Sequence, residues 1–233
     1  MRRTLLCLCL LLLLAKNATA QDKPSETKFY QPNSPGKYLL GSMGVLFGTS
    51  ALLFGTFTLL PESITGWTDD DIANAGKNYL RKVSMGPVVD NDLFYINFLG
   101  HPYSGAIYYM QPRSAGYSWA ESILFAFGLS ALWEFGIEAL AEPPSWQDLI
   151  ITPALGSLLG EAFYRFSRYI QDNDSRLFGS RFVGKTLLFF MDPIGFVMRD
   201  GGVARAIGVQ DKNVATLLLP QKGGLMASLK INW

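Results

Sequence analysis

Cysteine is nearly missing from this chain of 233 residues: Cys7 and Cys9 are the only two. Both fall inside an N-terminal leader. The mature remainder therefore offers no disulfide framework, no cysteine-held zinc and no thiol nucleophile, although an exported compartment would permit disulfides. Histidine is scarcer still. His101 stands alone, which excludes a three-histidine zinc site and the paired Glu-x-x-His of a di-iron bundle. Runs of the GxxxxGK[ST], GxGxxG and GxSxG type are absent, so the usual signs of a nucleotide site or an esterase elbow are missing. Neither charge is in excess: 20 basic against 19 acidic side chains leave a net of +1, and no nucleic-acid partner is expected.

The chain is rich in apolar residues, 49% against 17% charged, which excludes intrinsic disorder. They are concentrated in long runs. Arg2 and Arg3, the apolar stretch from Leu5 to Ala15 and the triplet Ala18-Thr19-Ala20 read as a secretory signal over residues 1–20, cleaved after Ala20. Subtracting Arg2, Arg3 and Lys16 from the 20 basic groups leaves 17 against 19 acidic ones, a mature net of −2. Residues 21–37 are polar, carry Pro24, Pro32 and Pro35, and read as a flexible linker. Leu39 to Leu60 follows with 22 residues and no charge. At 1.5 Å per residue that is about 33 Å of helix, the thickness of a hydrocarbon core, and it is the best candidate for a membrane span. Gly44 and Gly48 give it a small-xxx-small face, which implies a partner helix or a second copy.

Further on, Thr68-Asp69-Asp70-Asp71 is suited to open a helix. Ser118–Leu140 and Asp148–Ile170 are helical, with uncharged runs of twelve residues each, a length that suits buried or partly inserted helices. Pro143-Pro144 breaks the chain before the second of these, Ser145 caps it, and Asp148 is the acidic partner expected of a capping box. Thr152-Pro153 is expected to kink it or to mark its first turn. Gly156 and Gly160 form another close-approach face, again open to a partner helix or homo-oligomer. Near the C-terminus the alternation of Leu225, Ala227, Leu229, Ile231 and Trp233 predicts a strand, with Val214 to Leu219 placed to pair with it. The predicted fold class is mainly α, a membrane-associated helical bundle with a short C-terminal β segment. Its parts are the signal peptide (1–20), the linker (21–37), a helical envelope domain (38–202) and a hairpin-like segment (203–233).

Chemistry-bearing residues gather in the middle. Glu134 and Glu138 are spaced i, i+4, so both carboxylates leave one helix face, with Ser130 one turn earlier. Like charges so placed need water, a proton, a cation or an arginine between them. Arg113, Arg165 and Arg168 are the available counter-ions, and Glu161 with Arg165 has the spacing of a local pair. His101 lies in Gly100-His101-Pro102-Tyr103-Ser104-Gly105, which reads as a turn. It is a hydrogen-bonded structural histidine, a general base beside Ser104 or a ligand beside Glu134. The candidates for catalysis are thus His101, Ser104, Arg113, Glu134, Glu138 and Glu161. Glu134, Glu138 and Glu161 are the candidates for a metal. No cofactor is required by the pattern, and the alternative is a divalent cation such as Mg²⁺ or Ca²⁺.

In order along the chain stand Asp90-Asn91-Asp92, His101-Pro102-Tyr103-Ser104-Gly105, Tyr108-Tyr109, Arg113, Trp133-Glu134-x-x-x-Glu138, Pro144-Ser145-x-x-Asp148, Thr152-Pro153 and Gly156-x-x-x-Gly160-Glu161. Taken together they resemble a bacterial envelope family known only as a domain of unknown function, over roughly Tyr38 to Gly202. The resemblance implies an exported bacterial protein with a helical core, and it brings no activity with it. The leading expectation is a membrane-associated structural or assembly component of the cell envelope, in contact with membrane lipid. In it the polar set would act as an ion-pair network. The alternatives are a membrane-embedded enzyme acting on a lipid or lipid-linked substrate, and a channel or transporter built on intramembrane carboxylates.

Overall fold

A computed structural model describes residues 29–61, 68–89, 94–140, 142–212, 214–221 and 224–231. The signal sequence over 1–20 and the start of the linker lie outside the described residues. The chain is mainly helical. Its helices are α1 (Pro35–Phe57), α2 (Asp69–Ala73), α3 (Ala75–Met85), α4 (His101–Ala115), α5 (Trp119–Leu132), α6 (Trp146–Asp172), α7 (Arg181–Met191), α8 (Pro193–Arg199) and α9 (Val203–Ala206). Two π-helical turns join them, Ile96–Gly100 running into α4 and Trp133–Ile137 running out of α5, the latter ending in a 3₁₀ turn at Glu138–Leu140.

The centre is the parallel pair α4 and α6, which meet from His101 against Thr152 to Arg113 against Glu161; α5 packs against them on one side and α1 more lightly. Small residues at the crossing make this possible. A Cβ on Gly156 would stand 2.5 Å from the Cα of Gly105, and one on Gly160 would stand 2.7 Å from the Tyr109 ring. The partner helix implied by Gly156 and Gly160 is therefore α4 of the same chain, and these two glycines are not free to serve a second molecule. Gly44 and Gly48 differ: nothing lies within 4 Å of either position.

Local signals set the helix starts. Ser118 Oγ accepts from the Glu121 amide at 3.3 Å while the Glu121 carboxylate accepts from the Ser118 amide at 2.7 Å, a complete capping box. At α6 only half of the expected box forms. Ser145 Oγ accepts from the Asp148 amide at 3.3 Å, but the Ser145 amide donates to Glu134 Oε2 at 2.8 Å rather than to Asp148. Pro153 does not end the first turn; it sits inside α6, which continues to Asp172.

The interior is unusually polar and the exterior unusually apolar. Ser42, Gln111, Ser114, Ser122, Ser130, Glu134, Asp148, Thr152, Ser167 and Asp192 are buried, while Leu40, Leu52, Leu59, Leu124, Phe178 and Phe182 are each at least 71% exposed. Buried apolar residues form several small clusters, such as Tyr38 with Ala115, Met198, Ala204 and Val209. Among the described residues two helical stretches are long and apolar enough to cross a membrane, Pro35–Thr56 and Trp119–Leu140. The second reaches that length despite its acids. Glu121 belongs to the cap at its start, and Glu134 turns inward, so the outward face stays apolar.

The linker expectation does not hold from Phe29 onward. Phe29 is buried with Met110 and Tyr164, its amide donates to Asp172 Oδ1 at 2.9 Å, and α1 begins at Pro35, before the predicted Leu39. Residues 203–209 likewise belong to the helical body, since Ala204 and Val209 pack beside Tyr38. Val214–Gln221 (β1) and Gly224–Ile231 (β2) pair antiparallel with each other, Val214 opposite Ile231, in a sheet of two strands. Two strands cannot close a barrel, and the fold class rests on the helices alone.

Candidate functional site

The residues singled out by spacing separate into two places. His101 opens α4 directly after a π-helical turn, in helical conformation rather than in the expected loop. Its Nδ1 lies 3.1 Å from Thr152 Oγ1 and its Nε2 lies 3.3 Å from Asp148 Oδ1. Asp148 and Thr152 are one turn apart on α6, so a single helix face presents both to the imidazole. Glu134 approaches from the second π-helical turn, and one ligand atom each from His101, Glu134 and Asp148 lies within 4.8 Å of the others. The Glu134 and Glu138 carboxyls hydrogen-bond each other. Glu138 Oε2 is buried without a hydrogen-bond partner.

His101, Glu134, Glu138 and Thr152 line a cleft of about 520 Å³, with Asp148 buried behind them. Ser104, Tyr108, Ser130 and Thr152 add hydroxyls, and Leu46, Ser50, Leu53 and Phe54 of α1 line it as well. No lysine or arginine lines it among the described residues. Of the four ways to reconcile Glu134 with Glu138, an arginine between them is therefore eliminated among the described residues, and water, a shared proton or a cation remains.

Arg113 and Glu161 form the second place and do not line the cleft. Glu161 Oε2 accepts from Tyr109 Oη at 2.6 Å and from Arg113 Nε at 3.0 Å, and Glu161 Oε1 accepts from Arg165 Nε at 2.9 Å. The Arg113 guanidinium also lies 4.0 Å from the centre of the Tyr164 ring. Burial alone would raise the Glu161 carboxyl, but the Arg113 guanidinium and Tyr109 hydroxyl outweigh it and hold the group below its usual range. Both oxygens of Glu161 are thus committed to the chain's own donors. Glu161 and Arg113, two of the candidates for catalysis, are joined to each other in an ion pair away from the cleft.

Residues 86–194 match a family model described as a domain of unknown function, DUF3943. The match is narrower than the stretch from Tyr38 to Gly202 that the sequence resemblance suggested. No curated protein and no solved structure matches the chain. His101, Ser104, Glu134, Glu138, Asp148 and Thr152 all lie inside the matched residues, whereas the apolar wall from Leu46 to Phe54 lies before them. Sequence reasoning missed Asp148 as a site residue because its capping role explained it. Thr152 was read only as the neighbour of Pro153. Their i, i+4 spacing was the available signal, and it became informative only once α4 was known to cross α6 at Gly105 and Gly156.

Proposed function

We propose that this is an exported, membrane-embedded protein of the bacterial cell envelope, whose cleft acts on a lipid or lipid-linked substrate. The observation that carries this reading is the convergence of His101, Glu134 and Glu138, with Asp148 buried behind His101, on a cleft that is also lined by apolar residues of α1. An amphiphile fits such a space: its polar group meets the carboxylates and hydroxyls while its chain lies along Leu46, Leu53 and Phe54. Glu138 is the acid–base group in this reading, since one of its oxygens is left without a hydrogen-bond partner beside the other carboxyl. The membrane assignment is supported by the two long apolar helices and by the reversed distribution of serines and leucines between inside and outside.

A structural or assembly role is favoured by a different observation, the closed networks around Glu161 and around Asp192. Asp192 Oδ2 accepts from Arg199 Nη1 at 3.0 Å and from Ser114 Oγ at 3.1 Å. These networks fix the arrangement of the helices and leave the cleft for function.

The test has two parts. Carbonate-washed membrane fractions are expected to retain the full chain; its release into the soluble fraction would end the membrane reading. Protein purified in mild detergent is then extracted and its lipids identified by mass spectrometry, beside a Ser50→Trp variant that fills the cleft from the α1 side. Loss of a retained lipid in the variant supports the cleft as the binding site, and unchanged retention refutes it.

A further inference from the structure

From the geometry of the same cleft we infer that His101 Nε2, Glu134 and Asp148 are the ligands of a divalent transition-metal ion, of the Zn²⁺ or Mn²⁺ class, with the remaining coordination positions open to the cleft. The inference rests on the reading of the cleft as a functional site and names what that site holds.

Three ligand atoms, each from a different helical segment, converge within 4.8 Å. Two groups bound at about 2.1 Å from one ion stand about 3 to 4 Å apart, so the 3.3 Å between His101 Nε2 and Asp148 Oδ1 already matches, and Glu134, within 4.8 Å of both, needs to close by at most about 1 to 2 Å. The carboxylates and the imidazole are placed by buried backbone: Asp148 by the first turn of α6, Glu134 by a π-helical turn, His101 by the start of α4. Such rigid support is what a site needs to hold its ligands at metal distance.

A second observation points to an ion independently of the acids. The Thr152 hydroxyl contacts the other ring nitrogen, Nδ1, at 3.1 Å. A metal-bound imidazole regularly uses its distal nitrogen in this way, which fixes the ring and aims the lone pair of the ligating nitrogen at the metal. In the tautomer that carries its hydrogen on Nδ1, directed at Thr152, the Nε2 lone pair is turned toward Asp148 and Glu134, the arrangement that a shared cation requires. The cleft itself supplies no lysine or arginine to serve as that cation. One nitrogen and two carboxylate donors favour a transition metal over Ca²⁺ or Mg²⁺, which prefer all-oxygen shells. Three protein ligands with open positions are the pattern of a site that binds a further group rather than of a purely structural one. When bound, the ion would polarise an oxygen of the substrate; Glu138, outside the ligand set, remains available for proton transfer.

The experiment uses the full chain in detergent, stripped with EDTA and titrated separately with Mn²⁺, Zn²⁺, Mg²⁺ and Ca²⁺. Binding is read by equilibrium dialysis with metal analysis, by the Mn²⁺ resonance signal and by the thermal midpoint. One Mn²⁺ or Zn²⁺ per chain is expected, with a rise of about 5 to 10 °C at a hundredfold excess over Kd. Asp148→Asn and His101→Gln are expected to lower affinity at least tenfold, and Glu161→Gln, outside the cleft, is expected to leave it unchanged. Less than 0.1 ion per chain at about 1 mM metal, or equal binding by the wild type and both cleft variants, would overturn the site; equal or tighter binding of Mg²⁺ or Ca²⁺ would overturn its transition-metal class. Lipid retention measured on the same EDTA-treated preparation separates the two ideas: lipid retained without metal binding leaves the cleft reading standing and removes the ion.

Discussion

Gly156→Ala is a minimal change placed where the structure is least able to absorb it. The new methyl would stand 2.5 Å from both the Cα and the carbonyl carbon of Gly105 and 2.9 Å from the Ala106 nitrogen. Carbon atoms pack at about 3.5 to 4.0 Å, so α4 and α6 must part by about 1 Å, and the atoms in the way are backbone, which has no rotamer to yield. Overpacking of this kind costs about 1 to 3 kcal/mol and occasionally more. Set against it is the gain of about 1 kcal/mol from replacing glycine by alanine inside a helix. Because the obstructing atoms are backbone, the cost falls at the top of that range or above it, and a net loss of about 2 kcal/mol lowers the midpoint by about 4 to 8 °C for a chain of this size. The parting has a chemical consequence as well, because His101 rides on α4 and its two partners on α6. A shift of about 1 Å takes its 3.1 Å and 3.3 Å contacts beyond hydrogen-bond range. Thermal unfolding in detergent, followed by tryptophan fluorescence, measures the first effect; Gly44→Ala and Gly48→Ala, with open space around them, serve as controls and should hold or raise the midpoint. A Gly156→Ala midpoint within 2 °C of the wild type would refute the claim that backbone contact at this crossing sets the helix separation.

Glu161 gives a pH-dependent outcome. Its folded-state pKa is depressed, so the stability it contributes is fully present above its ordinary value near 4.5 and is lost as pH falls through the lower folded value. Glu161→Gln should therefore lower the midpoint at pH 7, and that difference should shrink progressively as pH falls below 4.5; a difference that does not shrink on acidification would count against the Arg113 pair as its source. Asp192→Asn leaves Arg199, whose side chain is 9% exposed, without its carboxylate. Removing one partner of a buried pair costs about 3 to 5 kcal/mol, so the yield of folded protein should fall severalfold, and wild-type yield and melting would contradict that assignment.

The helical layout was legible because local physics dictates it. Ser118 with Glu121, and Pro144-Ser145 before Asp148, announce helix starts through the hydrogen bonds that first-turn amides require. The apolar run after Lys37 announces α1 by its length. The site was legible only in part. Glu134 and Glu138 share a face at any helical pitch near 3.6, so spacing was enough to pair them. Glu161 was drawn into the same set because nothing in the sequence says that α6 directs Gly160 and Glu161 to Tyr109 and Arg113, whereas Asp148 and Thr152, three turns earlier on the same helix, meet His101. That division depends on where two helices cross, a tertiary fact. The loop expected around His101 failed for a related reason. Proline and glycine signal turns in isolation, but Pro102 is well placed in a helix's first turn, where its missing amide costs nothing, and Gly105 is required by the backbone of α6.

Both π-helical turns sit beside the residues that matter, Ile96–Gly100 just before His101 and Trp133–Ile137 around Glu134. Each such turn carries one residue more than an α turn, so each has the form of a single-residue insertion kept in place. Excising Phe98, or Phe135, would restore ordinary helical winding and rotate one flank relative to the other by about 100°. The imidazole, or the carboxylate pair, would then swing away from the cleft while the hydrophobic exterior stayed nearly as it is. Length variation at these two points is accordingly a marker, readable in any relative's sequence, of whether that relative keeps the same chemistry.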